Sequence, residues 1–156
     1  MTTSPDSRWD LSVDDRNGQR ALIVEVKTKI NVSSDWATRL RRNILAHGAF
    51  PKAPYFLMVF PDKFYLWIGS ETKLEHSQPA YTIDARSILQ PYFERAGVTA
   101  DQISGHSLEL IIASWLGEII HVESPLDEIR NSQRWLVDSG LYEALAGGRF
   151  EQEQAA

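Results

Sequence analysis

Short apolar runs separated by polar turns open the sequence. Residues 10–15 alternate polar with apolar side chains, residues 20–29 begin with an apolar run, and Asn17-Gly18 lies between the two segments. Asn-Gly between such runs is the strongest short-range signal for a hairpin, because both turn residues accept positive φ. The pattern therefore predicts two antiparallel strands joined by a two-residue turn.

A helix and a second pair of strands are predicted next. Apolar residues recur every four positions after candidate N-cap residues, namely Trp36, Leu40 and Ile44 after Ser33, Ser34 or Asp35. This spacing predicts an amphipathic helix over residues 36–47. Two apolar and aromatic runs follow at Tyr55–Phe60 and Phe64–Ile68, and the short turn between them predicts a second hairpin.

The pattern is helical from residue 84 to residue 147. Its widest apolar stripe consists of Leu108, Ile111, Ile112, Trp115, Leu116, Ile119 and Ile120. A stripe this wide predicts a buried helix. At 156 residues the chain is expected to be a single domain, 1–156, with a core over 9–68 and a helical extension over 84–147. The expected fold class is mixed α/β, with a central mixed sheet of about four strands in two hairpins and flanking helices.

The composition limits the cellular compartments in which the protein is expected. The chain has no cysteine, which excludes disulfides and thiolate metal sites. No apolar run approaches the ~18 residues that a membrane helix needs, and the polar start, Met1–Asp6, carries no basic-then-apolar leader. We therefore expect a cytoplasmic protein without a membrane partner.

Charge is distributed unevenly along the chain. The net charge of −5 argues against a protein that coats nucleic acid through bulk attraction. Residues 20–52, however, hold seven basic side chains against two acidic ones, a local balance of +5. A basic segment in an acidic protein is typical either of an anion-facing site or of a helix with a solvated arginine face.

The predicted register of the first hairpin brings two acidic side chains and one basic side chain to the same face of the sheet. If Asn17 and Gly18 form the turn, Leu11 faces Val24 and Val13 faces Leu22. Asp10 then lies directly opposite Glu25, with Lys27 two residues further along the same face of the sheet. Two carboxylates on facing strands can share a hard divalent cation such as magnesium, which prefers oxygen ligands and keeps several waters.

The residues between and beside these carboxylates complete the pattern. The backbone carbonyl of Val26 could supply a further oxygen ligand, and the Lys27 ammonium would lie beside a metal-bound water and a phosphate. This arrangement suits phosphodiester hydrolysis, in which a metal ion polarises the phosphoryl oxygen and lowers the pKa of water.

The sequence here resembles the PD-(D/E)xK nuclease superfamily, which has the restriction-endonuclease-like fold. Trp9-Asp10 matches its Pro-Asp element, with tryptophan in place of proline, and Glu25-Val26-Lys27 matches its (D/E)xK element, over a region of about 9–68. The resemblance implies cleavage of DNA with Mg²⁺ (or Mn²⁺), with Asp10 and Glu25 as metal ligands and Lys27 as the catalytic lysine.

One departure from that superfamily concerns the beginning of the fold. A helix and a strand usually come before the Pro-Asp element, but only nine residues precede Asp10. Both elements are therefore expected to be absent or drastically shortened, together with the acidic residue that some members carry on that helix.

Further basic residues are candidates for binding the nucleic-acid backbone. Lys29 continues the face of Glu25 and Lys27, and Arg39 and Arg42 lie away from the apolar stripe of the predicted helix. An arginine fork matches phosphate oxygens and a lysine ammonium can play the same role, so these three residues are candidates for contacts to DNA phosphates. The alternative for each is a place on a solvated face.

The leading hypothesis is a magnesium-dependent nuclease-like domain that hydrolyses DNA. One alternative is a catalytically inactive domain of the same fold that serves as a binding or assembly module. Another is an unrelated α/β domain in which Asp10, Glu25 and Lys27 form a surface ion-pair network. RNA stays open as a substrate. So does a homodimer, because small nucleases that cut both strands commonly pair.

Overall fold

In the part of the chain that the structure describes, the fold is built on one six-stranded mixed sheet. The computed structural model describes residues 10–47, 53–69, 78–121 and 133–152; Trp9 lies outside them. The strands are β1 (Leu11–Asp14), β2 (Arg20–Val26), β3 (Tyr55–Val59), β4 (Lys63–Ile68), β5 (Tyr81–Asp84) and β6 (Arg149–Gln152). The helices are α1 (Ser34–His47), α2 (Arg86–Ala96), α3 (Gly105–His121), α4 (Arg134–Asp138) and α5 (Leu141–Leu145). The strand order is β5-β4-β3-β2-β1-β6, with β2 and β3 parallel and the other neighbours antiparallel.

The predicted register of the first hairpin is confirmed. Leu11 pairs with Val24 and Val13 pairs with Leu22, and all four side chains are buried. A shift of one residue would turn these side chains to the opposite face of the sheet, so burial specifies this register strongly.

The turn of this hairpin differs from the prediction. The Gly18 N–H donates to the Asp15 carbonyl at 2.9 Å and Gly18 has φ +83°, whereas Asn31 is the one non-glycine residue of positive φ within the described ranges. Asn17 therefore does not adopt the two-residue turn that was expected. Asp15 Oδ1 instead accepts the backbone N–H groups of Asn17 and Gln19, each at 2.9 Å, which stabilises a longer loop. An irregularity at the end of β1 absorbs the extra residue and restores the predicted pairing.

Helix α1 connects β2 to its parallel neighbour β3. Ser33 is the N-cap among the three candidates, since its Oγ accepts the Trp36 N–H at 3.1 Å. The predicted stripe of Trp36, Leu40 and Ile44 packs against the sheet. Parallel strands need a crossover of this kind because a tight hairpin joins only antiparallel ones.

The expectation of about four strands was wrong, because the sheet has six. The two missed strands lie at its edges: β5 pairs antiparallel with β4, and β6 pairs antiparallel with β1. Each has only four residues, and in β5 just Ile83 is buried, so neither shows a long apolar run. Strands this short on a sheet edge are held by backbone pairing to a neighbour and carry a weak local signal.

Apolar side chains fill both faces of the sheet. One face is covered by the helices after β5, and its core includes Leu11, Val24, Leu57, Phe64, Leu108, Trp115, Trp135 and Leu141. The other face is covered by α1, and its core includes Ile23, Phe56, Met58, Phe60, Tyr65 and Trp67. Arg41 belongs to this second layer, where it is 4% exposed and stacks on the Phe56 and Trp67 rings.

Helix α3 carries the wide apolar stripe that the sequence predicts. All seven residues of the stripe are buried against the sheet and the neighbouring helices. Within the described ranges, no helix combines the length and the apolar character needed to cross a membrane.

Candidate active site

The first hairpin places Asp10 beside the end of β2. Asp10 lies immediately before β1, and its backbone N–H donates to the Val24 carbonyl at 3.2 Å. Its side-chain Oδ2 accepts the Val26 N–H at 2.7 Å. Asp10 is thus bound to the residues on both sides of Glu25, and the two acids are neighbours.

Glu25 is the most buried acid of this site. It is 6% exposed, and strand alternation directs its side chain to the same face of the sheet as Ile23. Burial raises the pKa of its carboxyl to about 8, and the negative charge of Asp10 adds to this shift; Lys27 and a hydrogen bond from the Asp10 backbone oppose it. A carboxyl with this pKa holds its proton at neutral pH unless a cation replaces it.

Lys27 lies at the rim of the same site. Its Nζ is 3.8 Å from Glu25 Oε2, and its side chain is 40% exposed whereas that of Glu25 is 8% exposed. The Lys27 N–H donates to the Val59 carbonyl at 2.9 Å, so backbone pairing with β3 continues past the end of β2. The ammonium is therefore positioned between the buried carboxyl and solvent.

Glu109 is an acid that the sequence analysis missed. Burial raises the pKa of its carboxyl, the Asp10 charge raises it further, and the nearby His106 lowers it. The charge of Glu109 in turn contributes to the raised pKa of Glu25. A Cβ built on Gly105, at the start of α3, would lie 3.9 Å from Thr28 Cγ2, so this helix begins beside the segment that follows Lys27.

The sequence held little signal for Glu109. It is a single polar residue within an apolar helical stretch, and 84 positions separate it from Glu25. No spacing rule relates residues that far apart in the chain.

The donor set fits a hard divalent cation. Asp10 and Glu25 offer carboxylate oxygens, and Val26, whose side chain is buried in the core, lies between Glu25 and Lys27 on the strand. The candidate donors are the two carboxylates and the backbone carbonyl of Val26. All of these donor atoms are oxygens, which suit Mg²⁺ or Mn²⁺. Among the residues that the structure describes, no group of three or more His, Cys, Asp or Glu side chains is arranged to hold a metal ion. Two carboxylates suffice for a magnesium ion that keeps several of its waters.

The predicted backbone-binding residues lie at or near the surface. Lys29 and Arg39 are exposed, and Arg42 is half-buried. The Lys29 Nζ lies 5.3 Å from the centroid of the Trp36 ring. These positions leave Lys29 and Arg39 accessible to a large ligand.

The chain matches no protein-family model, no curated protein and no solved structure. Any functional proposal for the site therefore depends on Asp10, Glu25, Lys27 and their surroundings.

Proposed function

We propose that this protein is a magnesium-dependent, nuclease-like domain of the restriction-endonuclease-like fold that hydrolyses DNA phosphodiester bonds. The observation that carries the proposal is the juxtaposition of three groups on adjoining segments. The Asp10 carboxylate is bound to the Val26 N–H, Glu25 is buried beside it, and the Lys27 ammonium lies 3.8 Å from the Glu25 carboxyl.

The topology around the site is compatible with this assignment. A hairpin, a helix and a parallel strand follow one another as β1, β2, α1 and β3, the order found in the PD-(D/E)xK superfamily. On the other side of β1 lies β6, a strand from late in the chain. Helix α3, with Glu109, likewise comes after the core in sequence and not before it.

Each residue has a distinct task in this proposal. Asp10 and Glu25, with the Val26 carbonyl, would hold Mg²⁺ or Mn²⁺. The bound ion would polarise the phosphoryl oxygen and lower the pKa of a water molecule. Lys27 orients the attacking water and places a positive charge beside the phosphate. Lys29 and Arg39 bind the DNA backbone at the exposed surface.

The buried Glu25 carboxyl links metal binding to protonation. Because its pKa is about 8, a cation must displace a proton from it at neutral pH. The charge of Asp10, which disfavours ionisation of Glu25, becomes favourable once a divalent cation lies between the two groups.

The test is cleavage of supercoiled plasmid by purified protein with Mg²⁺ or Mn²⁺, paired with calorimetric titration of the metal. We expect cleavage by the wild type and its loss in Glu25→Gln, which keeps the shape of the side chain. Glu118→Gln, an exposed acid on α3, is the matched control and should retain activity.

The two measurements together separate the proposal from its main alternative. If the wild type neither cleaves DNA nor binds metal in a carboxylate-dependent manner, the nuclease proposal is wrong. That result would favour a catalytically inactive domain of the same fold that binds or assembles with a partner.

A further inference from the structure

A basic and aromatic strip leads away from the proposed site along α1. Lys29 follows Lys27 by two residues, is exposed, and lies over the ring of Trp36 with its Nζ 5.3 Å from the centroid. Trp36 is half-buried, and an edge contact to Phe60 with centroids 6.2 Å apart anchors its ring. Arg39 is exposed and three residues further along the helix, a spacing that makes side chains neighbours.

We propose that Lys29, Trp36 and Arg39 bind an unpaired nucleotide of single-stranded DNA. The base stacks on the Trp36 ring, and the flanking phosphates contact Lys29 and Arg39. This inference rests on the proposed nuclease function, because the inference names single-stranded DNA as the substrate that reaches Lys27. Proteins bind single strands through aromatic rings set among cations in this manner.

The stacking step explains why the strip selects single strands. Inside a duplex both faces of a base are covered by its neighbours, so such a base cannot stack on Trp36 without leaving the helix. An unpaired base has a free face, and it stacks on tryptophan more strongly than an exposed lysine does. Lys29 can therefore leave the ring and contact a phosphate when a base arrives.

The charge around the strip is compatible with a polyanion. Two cations of the strip stand against one acid, Asp35, which is next to Trp36 in sequence. Asp35 Oδ1 accepts a hydrogen bond from Gln78 Nε2 at 3.1 Å. Lys27 extends the positive charge from the strip toward the proposed site. Phosphates on both sides of a stacked base would thus meet cations.

A second pair of the same kind on α2 provides a matched control. The guanidinium of Arg95 lies 4.9 Å from the centroid of the Tyr92 ring, with Arg95 exposed and Tyr92 half-buried. The residue beside Arg95 is Glu94, and the chain from residue 53 onward holds 15 acidic against seven basic side chains. This pair shares the cation-over-ring contact of the strip but lies in a segment of the chain that is acidic overall.

The experiment is a fluorescence-anisotropy titration of a labelled oligothymidine and of a labelled duplex, in EDTA so that no cleavage occurs. We expect Trp36→Leu to weaken binding of the single strand about tenfold and binding of the duplex less than about twofold. Trp36→Phe, which retains an aromatic ring, should preserve most of the affinity, and Tyr92→Leu should change neither titration.

Folding is checked for every variant by circular dichroism and thermal melting. If Trp36→Leu fails to fold, the double variant Lys29→Ala, Arg39→Ala replaces it, and it should weaken single-strand binding by a similar factor. Equal effects of Trp36→Leu and Tyr92→Leu, or equal losses for single strand and duplex, would overturn the inference.

The outcome is distinguishable from failure of the proposed function. If the protein binds single strands selectively through Trp36 but never cleaves DNA, the single-strand binding proposal is supported and the nuclease proposal is wrong. If cleavage depends on Glu25 but the Trp36→Leu variant binds single strands normally, the nuclease proposal is supported and the single-strand binding proposal is wrong.

Discussion

The carboxylate of Asp10 accepts the backbone N–H of Val26 at 2.7 Å, and this bond joins the start of β1 to the end of β2. Val26 separates Glu25 from Lys27, so the bond fixes the backbone from which both side chains project. Asp10 therefore has a structural task in addition to its proposed role as a ligand. Its replacement would leave a partly buried N–H donor without its acceptor, which is costly.

The raised pKa of Glu25 predicts that the metal-free protein becomes less stable as the pH rises. Its pKa is about 8 in the folded protein and 4.5 for an unperturbed carboxyl. Between these values the folded state holds a proton that the unfolded state has lost, so the free energy of unfolding falls with pH. We expect a loss on the order of 3 kcal/mol between about pH 5 and pH 8, since each pKa unit corresponds to about 1.4 kcal/mol.

Urea unfolding in EDTA across this range measures the effect. Glu25→Gln cannot ionise and should show a much flatter dependence. Asp84→Asn is the control, because Arg86 lowers the pKa of the exposed Asp84 to about 2, so this group does not titrate in the range. Parallel curves for the wild type and Glu25→Gln would contradict the assignment of the proton to Glu25.

Replacement of Lys27 should separate catalysis from metal binding. Lys27 lies at the rim and is not a proposed ligand, so Lys27→Met should bind Mg²⁺ at least as tightly as the wild type. Loss of the ammonium that orients the attacking water should lower the cleavage rate by roughly 100-fold or more. Calorimetry and single-turnover cleavage measure the two quantities.

Lys63→Met, a half-buried lysine on β4, serves as the control. An unchanged cleavage rate in Lys27→Met would exclude its catalytic role.

Removal of the Glu109 charge should lower the pKa of Glu25. Glu109 raises that pKa through its negative charge, so Glu109→Gln favours the ionised form of Glu25. The pKa can be followed by NMR titration of the Glu25 side-chain carboxyl in the metal-free protein. Glu118→Gln, an exposed acid on the same helix, should leave the titration unchanged. Identical titrations for both variants would show that Glu109 is not electrostatically coupled to the site.

A methyl group at Gly148 should disrupt the pairing of β6 with β1. A Cβ there would lie 2.2 Å from the Asp14 carbonyl oxygen and 2.9 Å from that of Leu145, and backbone atoms cannot move aside cheaply. We expect Gly148→Ala to lower the free energy of unfolding by about 2 kcal/mol or more. Gly117→Ala is the control, because open space surrounds this position on α3, and alanine should stabilise the helix by ~0.5–1 kcal/mol. A Gly148→Ala protein with unchanged denaturation would show that the approach of these strands is not tight.

The register of the first hairpin shows how much of the strand pairing can be predicted from the local sequence pattern. Leu11 and Val24 are 13 residues apart, and their pairing follows from alternation and a turn signal that lie within one short segment. The turn itself differed because Asp15 offers a side-chain acceptor to two backbone N–H groups, which stabilises a longer loop. Both turns lead to the same pairing, so the error was local.

The sequence by itself determined the strands of the two hairpins, the helix between them, the buried stripe of α3 and the candidate acids Asp10 and Glu25. These features follow from periodicity and from contacts between residues close in the chain. Only the tertiary structure decided that β6 flanks β1, that the Asp10 charge raises the pKa of Glu109, and that burial raises the pKa of Glu25. Solvent exclusion and encounters between distant segments arise from packing of the whole chain, and local spacing does not encode them.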